Sequence, residues 1–511
     1  MSDQTSPEDL AAYDLLVRRS EAILGLMNPI VVELGERFAA AGFELALVGG
    51  PVRDALLGRK TSDLDFATSA NPDQTQTILA AWGDAHWDIG KEFGTIGAKR
   101  FAQDGGEDVV VEVTTYRTDE YDPKSRKPVV AFGDNLDADL SRRDFTVNAM
   151  AIALPQLEFV DPFEGLRDLA AKVLRTPIAA ERSFDDDPLR MMRGARFAGQ
   201  LGFDLEVSAR AAIVAMAERI SIVSAERVHD ELNKLMLSDD PVKGLEVMVD
   251  TGLAAQVLPE LPGMKEATDE HGRHKDVYQH SMIVLQQAID LETGPDGPVP
   301  GPDLQLRLAA LLHDIGKPAT RRFEDNGSVS FHHHELVGAK MTSRRMRALK
   351  YDKETTKAVS RLVELHLRFH GYGEGAWTDS AVRRYVTDAG PLLERLHRLT
   401  RADCTTRNKR KAKMLSTAYD SLEERIKVLA AQEEINAIRP DLDGEAIMEI
   451  LDIKPGKAVG MAYKFLMELR LDEGPLGQDE ATKRLLAWWD GAGAELKDLT
   501  TYAPSGRKKN V

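Results

Sequence analysis

Two carboxylates two positions apart, Asp63 and Asp65, follow a Gly49-Gly50 pair in the stretch LVGGPVRDALLGRKTSDLDFATS, residues 47–69. On an extended strand, residues i and i+2 share a face, so both side chains can hold the same divalent ions. Ions held that way activate a 3′-hydroxyl and stabilise a departing pyrophosphate. The glycines, lacking side chains, let a triphosphate approach the backbone. A DxD or a GG alone is also what a solvated turn looks like. The order Gly-Gly, Arg53-Asp54, Gly58, Ser62-Asp63-Leu64-Asp65 is what points to phosphoryl transfer.

A second constellation, Asp187 and Arg190, lies in DDDPLRMMRGARFAGQLGF, residues 185–203. Residues three apart on a helix share a face, so a carboxylate and a guanidinium present one edge to a nucleobase. Asp187 accepts from the amino group of cytosine or adenine, and Arg190 donates to the adjoining ring acceptor. Uracil and guanine place a carbonyl there and leave a buried carboxylate unpaired, a mismatch that reaches discrimination of roughly 10⁴ or better. The alternative is an ordinary i,i+3 ion pair worth about 0.2–0.5 kcal/mol. Arg193 and Arg196 continue along that face as structural partners or as phosphate contacts.

A third set is His280, the His313-Asp314 of LLHDIGKP, the FHHHE of His332 to Glu335, His366 and Asp403. One histidine on an apolar helix is usually a core residue. Several, with carboxylates, on or beside helices suit borderline divalent metals such as Mn, Fe, Ni or Zn. A metal there lowers the pKa of its water for phosphoester hydrolysis, and Lys317 is placed to neutralise phosphate charge.

With DLSRRDFTVNAMA (139–151) and DPFEGLRDL (161–169), the first two constellations resemble the nucleotidyltransferase superfamily, and within it the class II tRNA nucleotidyltransferases and their poly(A) polymerase relatives. The resemblance covers about residues 25–265. It implies catalytic Asp63 and Asp65 on Mg²⁺. It further implies nucleotide contacts from Gly50, Arg53, Arg143, Asp144 and Asn148, and an amino-acid template formed by Asp187 and Arg190. Asp144 has a capping role as its alternative. Glu112, on VVVEVTT, is a further acid that alternation alone does not place beside Asp63. The third set resembles the HD phosphohydrolase superfamily. That likeness implies His280, His313, Asp314 and Asp403 as ligands of a second divalent metal (Mn, Ni, Fe or Zn), with His334 and His366 where another ion is held.

The activity implied is addition of CCA to the 3′ end of tRNA from CTP and ATP without a nucleic-acid template, with a phosphohydrolase activity of the HD domain beside it. Poly(A) polymerase is the alternative. Polymerases of that type carry a basic Arg/Lys-Arg-Phe segment, where this chain has Gly90-Lys91-Glu92-Phe93-Gly94-Thr95. An HD-type phosphohydrolase with an RNA-binding head is the reading from a different class.

These residues need a scaffold. Strand-like runs at Glu44–Val48, Leu64–Thr68, Gly94–Phe101 and Asp108–Thr115 make a small mixed sheet, and the polar stretch from Arg117 to Asp139 reads as a mobile loop. From about Asp161 the period is helical. The Pro/Gly-rich Glu292–Asp303 reads as an exposed loop inside a helical domain. The expected fold is α+β: a small mixed β-sheet nucleotidyltransferase head, then an all-α neck, body, HD domain and helical tail. The expected bounds are a lead-in at 1–28, head at 29–160, neck at 161–222, body at 223–272, HD domain at 273–405 and tail at 406–511.

The 511 residues are 43% hydrophobic and 29% charged, with no apolar run near the roughly 20 residues that span a bilayer. A single cysteine, Cys404, excludes an intramolecular disulfide and a cysteine zinc cluster. With no apolar run in Met1 to Leu10 the expectation is a cytoplasmic protein without a membrane partner. A net charge of −17 runs against a nucleic-acid partner, yet local patches decide phosphate contact. Arg401, Arg407, Lys409, Arg410, Lys411 and Lys413 form one such patch, and Arg344, Arg345 and Arg347 another; each is an RNA contact or a solvated helix face. The expected RNA-contacting residues are Arg193, Arg196, Arg407, Lys409, Arg410 and Lys411. The sequence leaves oligomeric state open.

Overall fold

A computed structural model describes residues 7–25, 29–59, 63–102, 108–120, 129–133, 135–266, 276–325, 329–369, 377–406, 408–433 and 438–491. The chain divides into two units, Met1–Gly263 with Ala348–Lys350, and Met264–Arg347 with Tyr351–Val511.

The first unit carries nine strands that matter for the site: β1 (Leu45–Val48), β2 (Asp63–Thr68), β3 (Ala85–Trp87), β4 (Thr95–Arg100), β5 (Val109–Thr115), β6 (Arg117–Glu120), β7 (Val129–Phe132), β8 (Ala151–Leu154) and β9 (Glu158–Val160). Seven form one mixed sheet in the order β3-β4-β5-β2-β1-β8-β9. Within it β2 and β5 run parallel while the other pairs are antiparallel.

Its helices are α1 (Pro7–Gly25), α2 (Pro29–Ala40), α3 (Gly50–Leu56), α4 (Pro72–Trp82), α5 (Leu136–Ser141), α6 (Gly165–Ala171), α7 (Ala180–Asp186), α8 (Leu189–Leu201), α9 (Val207–Met216), α10 (Ala225–Met236), α11 (Pro241–Asp250), α12 (Leu253–Val257) and α13 (Glu260–Gly263). Helix α2 buries Val31, Leu34, Gly35 and Phe38, the i, i+3, i+4, i+7 stripe of an amphipathic helix. Helix α4 starts at a capping box, Asn71 with Gln74, and Pro72 at its first turn.

Alternation sorts the sheet into two unlike faces. Leu45, Leu47, Phe66, Ile96, Val111, Val113 and Ile152 point to the side where α2 and α4 contribute Leu34, Phe38 and Leu79, and all are buried there. Small residues, Ala46, Val48, Ala67 and Ala151, occupy part of the other face with Tyr116 and Leu140. That second face is the one Asp63 and Asp65 share by register.

The four expected strands form, within a residue or two of the expected bounds. The short strands β3, β8 and β9 carry too few residues for a period to show. The stretch from Arg117 to Asp139 corrects its reading as a loop: its ends pair as the β6–β7 hairpin, Arg117 opposite Phe132, and α5 comes next. Its middle, 121–128, lies outside the described residues.

The second unit is nearly all helix: α14 (Val277–Asp290), α15 (Leu304–Leu312), α16 (Lys317–Thr320), α17 (His334–Ala348), α18 (Lys353–Leu365), α19 (Asp379–Ala389), α20 (Leu393–Ala402), α21 (Lys409–Glu433), α22 (Gly444–Leu451), α23 (Lys457–Glu473) and α24 (Gln478–Gly491). The Pro/Gly-rich loop between α14 and α15 is pinned at both ends. Glu292 takes Arg307 in a two-oxygen clasp of 2.7 and 2.8 Å, Asp303 takes Arg395 at 2.7 Å, and Val299 between them is fully buried. Helices α22 to α24 close a small core of their own around Ile447, Leu466 and Leu485, with Trp488 stacked on Phe465 at its edge. No helix among the described residues is long and apolar enough to cross a membrane.

Candidate functional site

The apolar run of β1 is buried to its last residue and delivers the chain into Gly49 at φ 76°, where a side chain would be strained. A Cβ there would also lie 2.8 Å from Arg143 Nη1. Glycine therefore serves twice, for the backbone turn and for the approach of the guanidinium. Arg143 is tied back to buried Asp139 at 3.1 Å. Gly50 opens α3, and one turn on, buried Arg53 donates to Asp54 at 2.8 Å and to Asn148 Oδ1 at 2.6 Å.

Asn148 donates in turn to Asp144, which also accepts from the Phe145 amide and meets Arg193 Nη2 at 2.8 Å. Burial works to raise the Asp144 carboxyl, but Arg193, Asn148 and the Phe145 amide outweigh it and hold it below the usual carboxylate range. Arg53, Asn148, Asp144 and Arg193 thus form one connected polar group near the ends of β1 and β8, with Gly49 and Arg143 beside each other at the end of β1. No capping bond of Asp144 to a helix start is needed to explain its burial.

On the second face of the sheet, Asp65 stands beside Glu112 in the parallel β2–β5 register, and Asp63 beside Val110. Both Asp65 and Glu112 are exposed. Asp63 opens β2 by its backbone; its side chain lies outside the described residues. The register puts Glu112 on the face of the Asp pair, which the alternation of VVVEVTT alone does not reveal. Asp65 and Glu112 bring carboxylate oxygens to one face, a donor type that suits a hard divalent cation such as Mg²⁺.

Asp187 and Arg190 do not lie on one helix face. Asp187 ends α7 in an extended conformation, φ −142° and ψ 99°, because Pro188 comes after it and disfavours the helical region. Its Oδ1 accepts from the Leu189 amide at 3.1 Å and its Oδ2 pairs with Arg227 Nη2 at 2.9 Å. Arg190 is buried, donates to Ser183 Oγ at 2.8 Å, and reaches the Arg142 carbonyl, beside Arg143 and Asp144. The turn between the helices therefore brings Arg190 beside the polar group of β1 and β8, while the Asp187 carboxylate is held by Arg227.

Arg196 corrects its expected place on an RNA-facing surface. Its side chain is 10% exposed, is held by Glu231 at 2.6 Å and lies 3.9 Å over the Phe197 ring. Arg193, 38% exposed, reaches Asp144. In the second unit Lys409, Arg410 and Lys411 are exposed at the start of α21, Arg401 is occupied by Asp420 and Glu423, and Arg407 lies outside the described residues.

The histidine set converges within the second unit. His280 Nε2 is 2.9 Å from Asp403 and 3.2 Å from His313 Nε2. Asp314 bridges onward: its Oδ2 lies 3.2 Å from His313 Nε2 and its Oδ1 lies 3.2 Å from His334 Nε2 and 3.9 Å from His366 Nε2. Two ligand groups result, His280-His313-Asp403 and Asp314-His334-His366. His313, His334 and His366 each anchor Nδ1 on the carbonyl three residues back, at 2.8, 2.8 and 2.7 Å, so each aims Nε2 inward.

The buried Nε2 atoms of His334 and His366 have no partner in hydrogen-bonding geometry, an arrangement that fits metal ligation. Burial works against protonating His313, but Asp314 and Asp403 overcome it and raise its pKa to about 10. Burial and the charge on His313 push His366 down to about 3. Lys317 Nζ sits 2.9 Å from Asp314 Oδ2.

Three segments of the chain match known families. Residues 45–175 match the poly A polymerase head domain, 202–264 a probable RNA and SrmB- binding site of polymerase A, and 277–408 the HD domain. The chain is 33% identical over 452 residues to an A-adding tRNA nucleotidyltransferase of Deinococcus radiodurans, an alignment covering 87% of this chain and 95% of the relative. It is 36% identical over 305 residues to a CCA-adding enzyme of Lactobacillus delbrueckii subsp. bulgaricus, covering 60% and 70%. A CCA-adding enzyme of Streptococcus thermophilus is 41% identical over 236 residues, covering 46% and 55%. In fold the chain is similar to the Bacillus stearothermophilus CCA-adding enzyme in complex with CTP, with TM-score 0.64, 23% identity and coverage of 91% and 99%. The Thermotoga maritima CCA-adding enzyme complexed with tRNA aligns at TM-score 0.55 with 21% identity, covering 93% and 98%.

Proposed function

The chain belongs to the tRNA nucleotidyltransferase and poly(A) polymerase family, and on that premise we propose that it adds C, C and A to the 3′ end of tRNA from CTP and ATP. The observation that carries the reading is the register that puts Asp63, Asp65 and Glu112 on one sheet face, one strand away from Gly49 and its Arg143 neighbour.

Those three carboxylates would hold Mg²⁺, which supplies positive charge to the attacking and leaving oxygens of an in-line displacement. Gly49 and Gly50 let the triphosphate lie against the backbone, and Arg143 grips its oxygens in a fork. Arg53 and Asn148 brace Asp144, whose ionised carboxylate orients the ribose. Asp187 and Arg190 read the base, with Asp187 exchanging its bond to half-exposed Arg227 for the base amino group. The bond to Arg227 keeps Asp187 pointed until a base arrives. In the second unit the two ligand groups around Asp314 would hold borderline divalent metals, which supply a hydroxide at neutral pH for phosphoester hydrolysis. Lys317 and the exposed start of α21 place positive charge for a phosphate and an RNA backbone.

A second reading has its own observation: the relative aligned over 95% of its length is an A-adding enzyme. The test uses one tRNA lacking its last three nucleotides and one lacking only the terminal A. We expect two cytidines from CTP alone on the first and one adenosine from ATP alone on the second, both abolished by Asp65→Ala. Adenosine on the second with no cytidine on the first identifies an A-adding enzyme; long adenosine tails identify a poly(A) polymerase.

A further inference from the structure

We propose that Trp87 is a stacking platform for the terminal base of the RNA that is being extended, an inference that rests on the nucleotidyl-transfer reading and names where its second substrate sits. Strand register places the ring. Trp87 pairs with Gly97 across β3–β4, Gly97 pairs with Glu112 across β4–β5, and Glu112 stands beside Asp65 across β5–β2. Directly paired residues share a sheet face, so Trp87, Gly97, Glu112 and Asp65 form one row across the face that carries the carboxylates.

Gly97 is the empty place in that row, and the indole fills it. A Cβ on Gly97 would lie 2.0 Å from Trp87 Cε2 and 2.2 Å from its Nε1, so the ring rests on the glycine backbone. Any side chain at 97 would lift the ring away. Adjacent strands are about 4.8 Å apart, so the indole over Gly97 lies two strand spacings, roughly 10 Å, from the Asp65 row position. Trp87 remains only partly buried.

Strand order then gives the platform its occupant. Going from the Asp pair on β2 in one direction leads to β1 and β8, beside whose ends lie Gly49, Gly50 and Arg143, the residues assigned to the incoming triphosphate. Going the other way leads to β5, β4 and β3, and ends at Trp87. In-line displacement needs the attacking 3′-hydroxyl opposite the departing pyrophosphate, with the metals between. The extended strand therefore arrives from the β3–β4 side, where its last base meets the indole. Stacking tolerates any base, as required of a platform whose occupant changes after each addition.

The experiment measures binding of an acceptor-stem minihelix with an unpaired 3′-terminal nucleotide, and of the same minihelix ending in an abasic residue, without added nucleotide. Loss of base stacking is expected to weaken the first about 5- to 100-fold in Trp87→Leu, which keeps apolar bulk, while Trp87→Phe stays near wild type. The abasic minihelix should bind wild type about as weakly, and Trp87→Leu should not weaken it further. KM for CTP should be unchanged. Gly97→Ala, which keeps the indole but drives a methyl into it, should behave like Trp87→Leu. Equal binding by wild type and Trp87→Leu, or an abasic penalty that persists in Trp87→Leu, overturns the platform. If wild type shows the terminal-base dependence but adds no nucleotide, the activity reading fails and the platform stands.

Discussion

Replacing Glu231 by Leu should open the α8 region by several kcal/mol, and the structure says why. Glu231 on α10 accepts Arg196 Nε at 2.6 Å, with the two side chains only 8% and 10% exposed. Solvent screening therefore scarcely discounts the pair. Lys234, 63% exposed and 4.0 Å from the other oxygen, contributes little. Removing one partner of such a pair leaves a buried charge without its counterion, at about 3–5 kcal/mol. Arg196 keeps its bond to Gln200 and its place over the Phe197 ring, so the lower end of that range applies.

A loss of about 3 kcal/mol is roughly a hundredfold or more in an opening equilibrium, read as faster hydrogen exchange of the α8 amides. Exchange in α22 to α24, which close their own core, should not change. Pairing Glu231→Leu with Arg196→Met removes both charges and fills the space, so most of the protection should return, to within about 1–2 kcal/mol of wild type. A single variant that costs under about 1 kcal/mol, or a double variant no better than the single, refutes the assignment of Arg196 to a structural role.

The buried carboxylates and histidines give two other predictions. Asp144 is held below the ordinary carboxylate range in the folded protein, so its stabilising contribution is present above about pH 4 and is lost as pH falls through its lowered value. Asp144→Asn should therefore flatten the acid limb of the stability curve in a pH titration of unfolding; an unchanged acid limb contradicts the network. His366→Ala removes one ligand of the second group while leaving His280, His313 and Asp403, so metal analysis after loading with Mn²⁺ should show about half the bound metal. Unchanged stoichiometry would mean that the two groups hold a single ion.

The strand carrying the Asp pair and the glycine turn before it are legible in the sequence because both are local: an apolar run, a breaker and a period of two. The histidine set is legible by residue type, since His and Asp in that order are rarely assembled for packing. Register between distant segments is what the letters hide. Glu112 joins the Asp face only through the parallel pairing of β2 with β5, 47 positions apart along the chain at Asp65. Arg196 resembles an RNA contact in sequence because its buried partner Glu231 is 35 residues away. The spacing of three between Asp187 and Arg190 suggests one helix, although Pro188 between them carries the signal that breaks it. The hairpin of β6 and β7 is hidden because its apolar strand, Val129–Phe132, is only four residues long and the strand it pairs with, Arg117–Glu120, is polar.

The carbonyl anchors of His313 and His366 couple the clustered imidazoles to helix phase. Both residues cap their helices, α15 and α18, and take their orientation from the last turn before them. Each residue inserted into an α-helix rotates the chain beyond it by about 100°. One extra residue near the end of either helix would therefore swing an imidazole out of the cluster with every histidine and aspartate still present in the sequence. Such a lesion would be invisible to any scan of motif letters: the length of chain before the last turn constrains the cluster as much as the histidines themselves do.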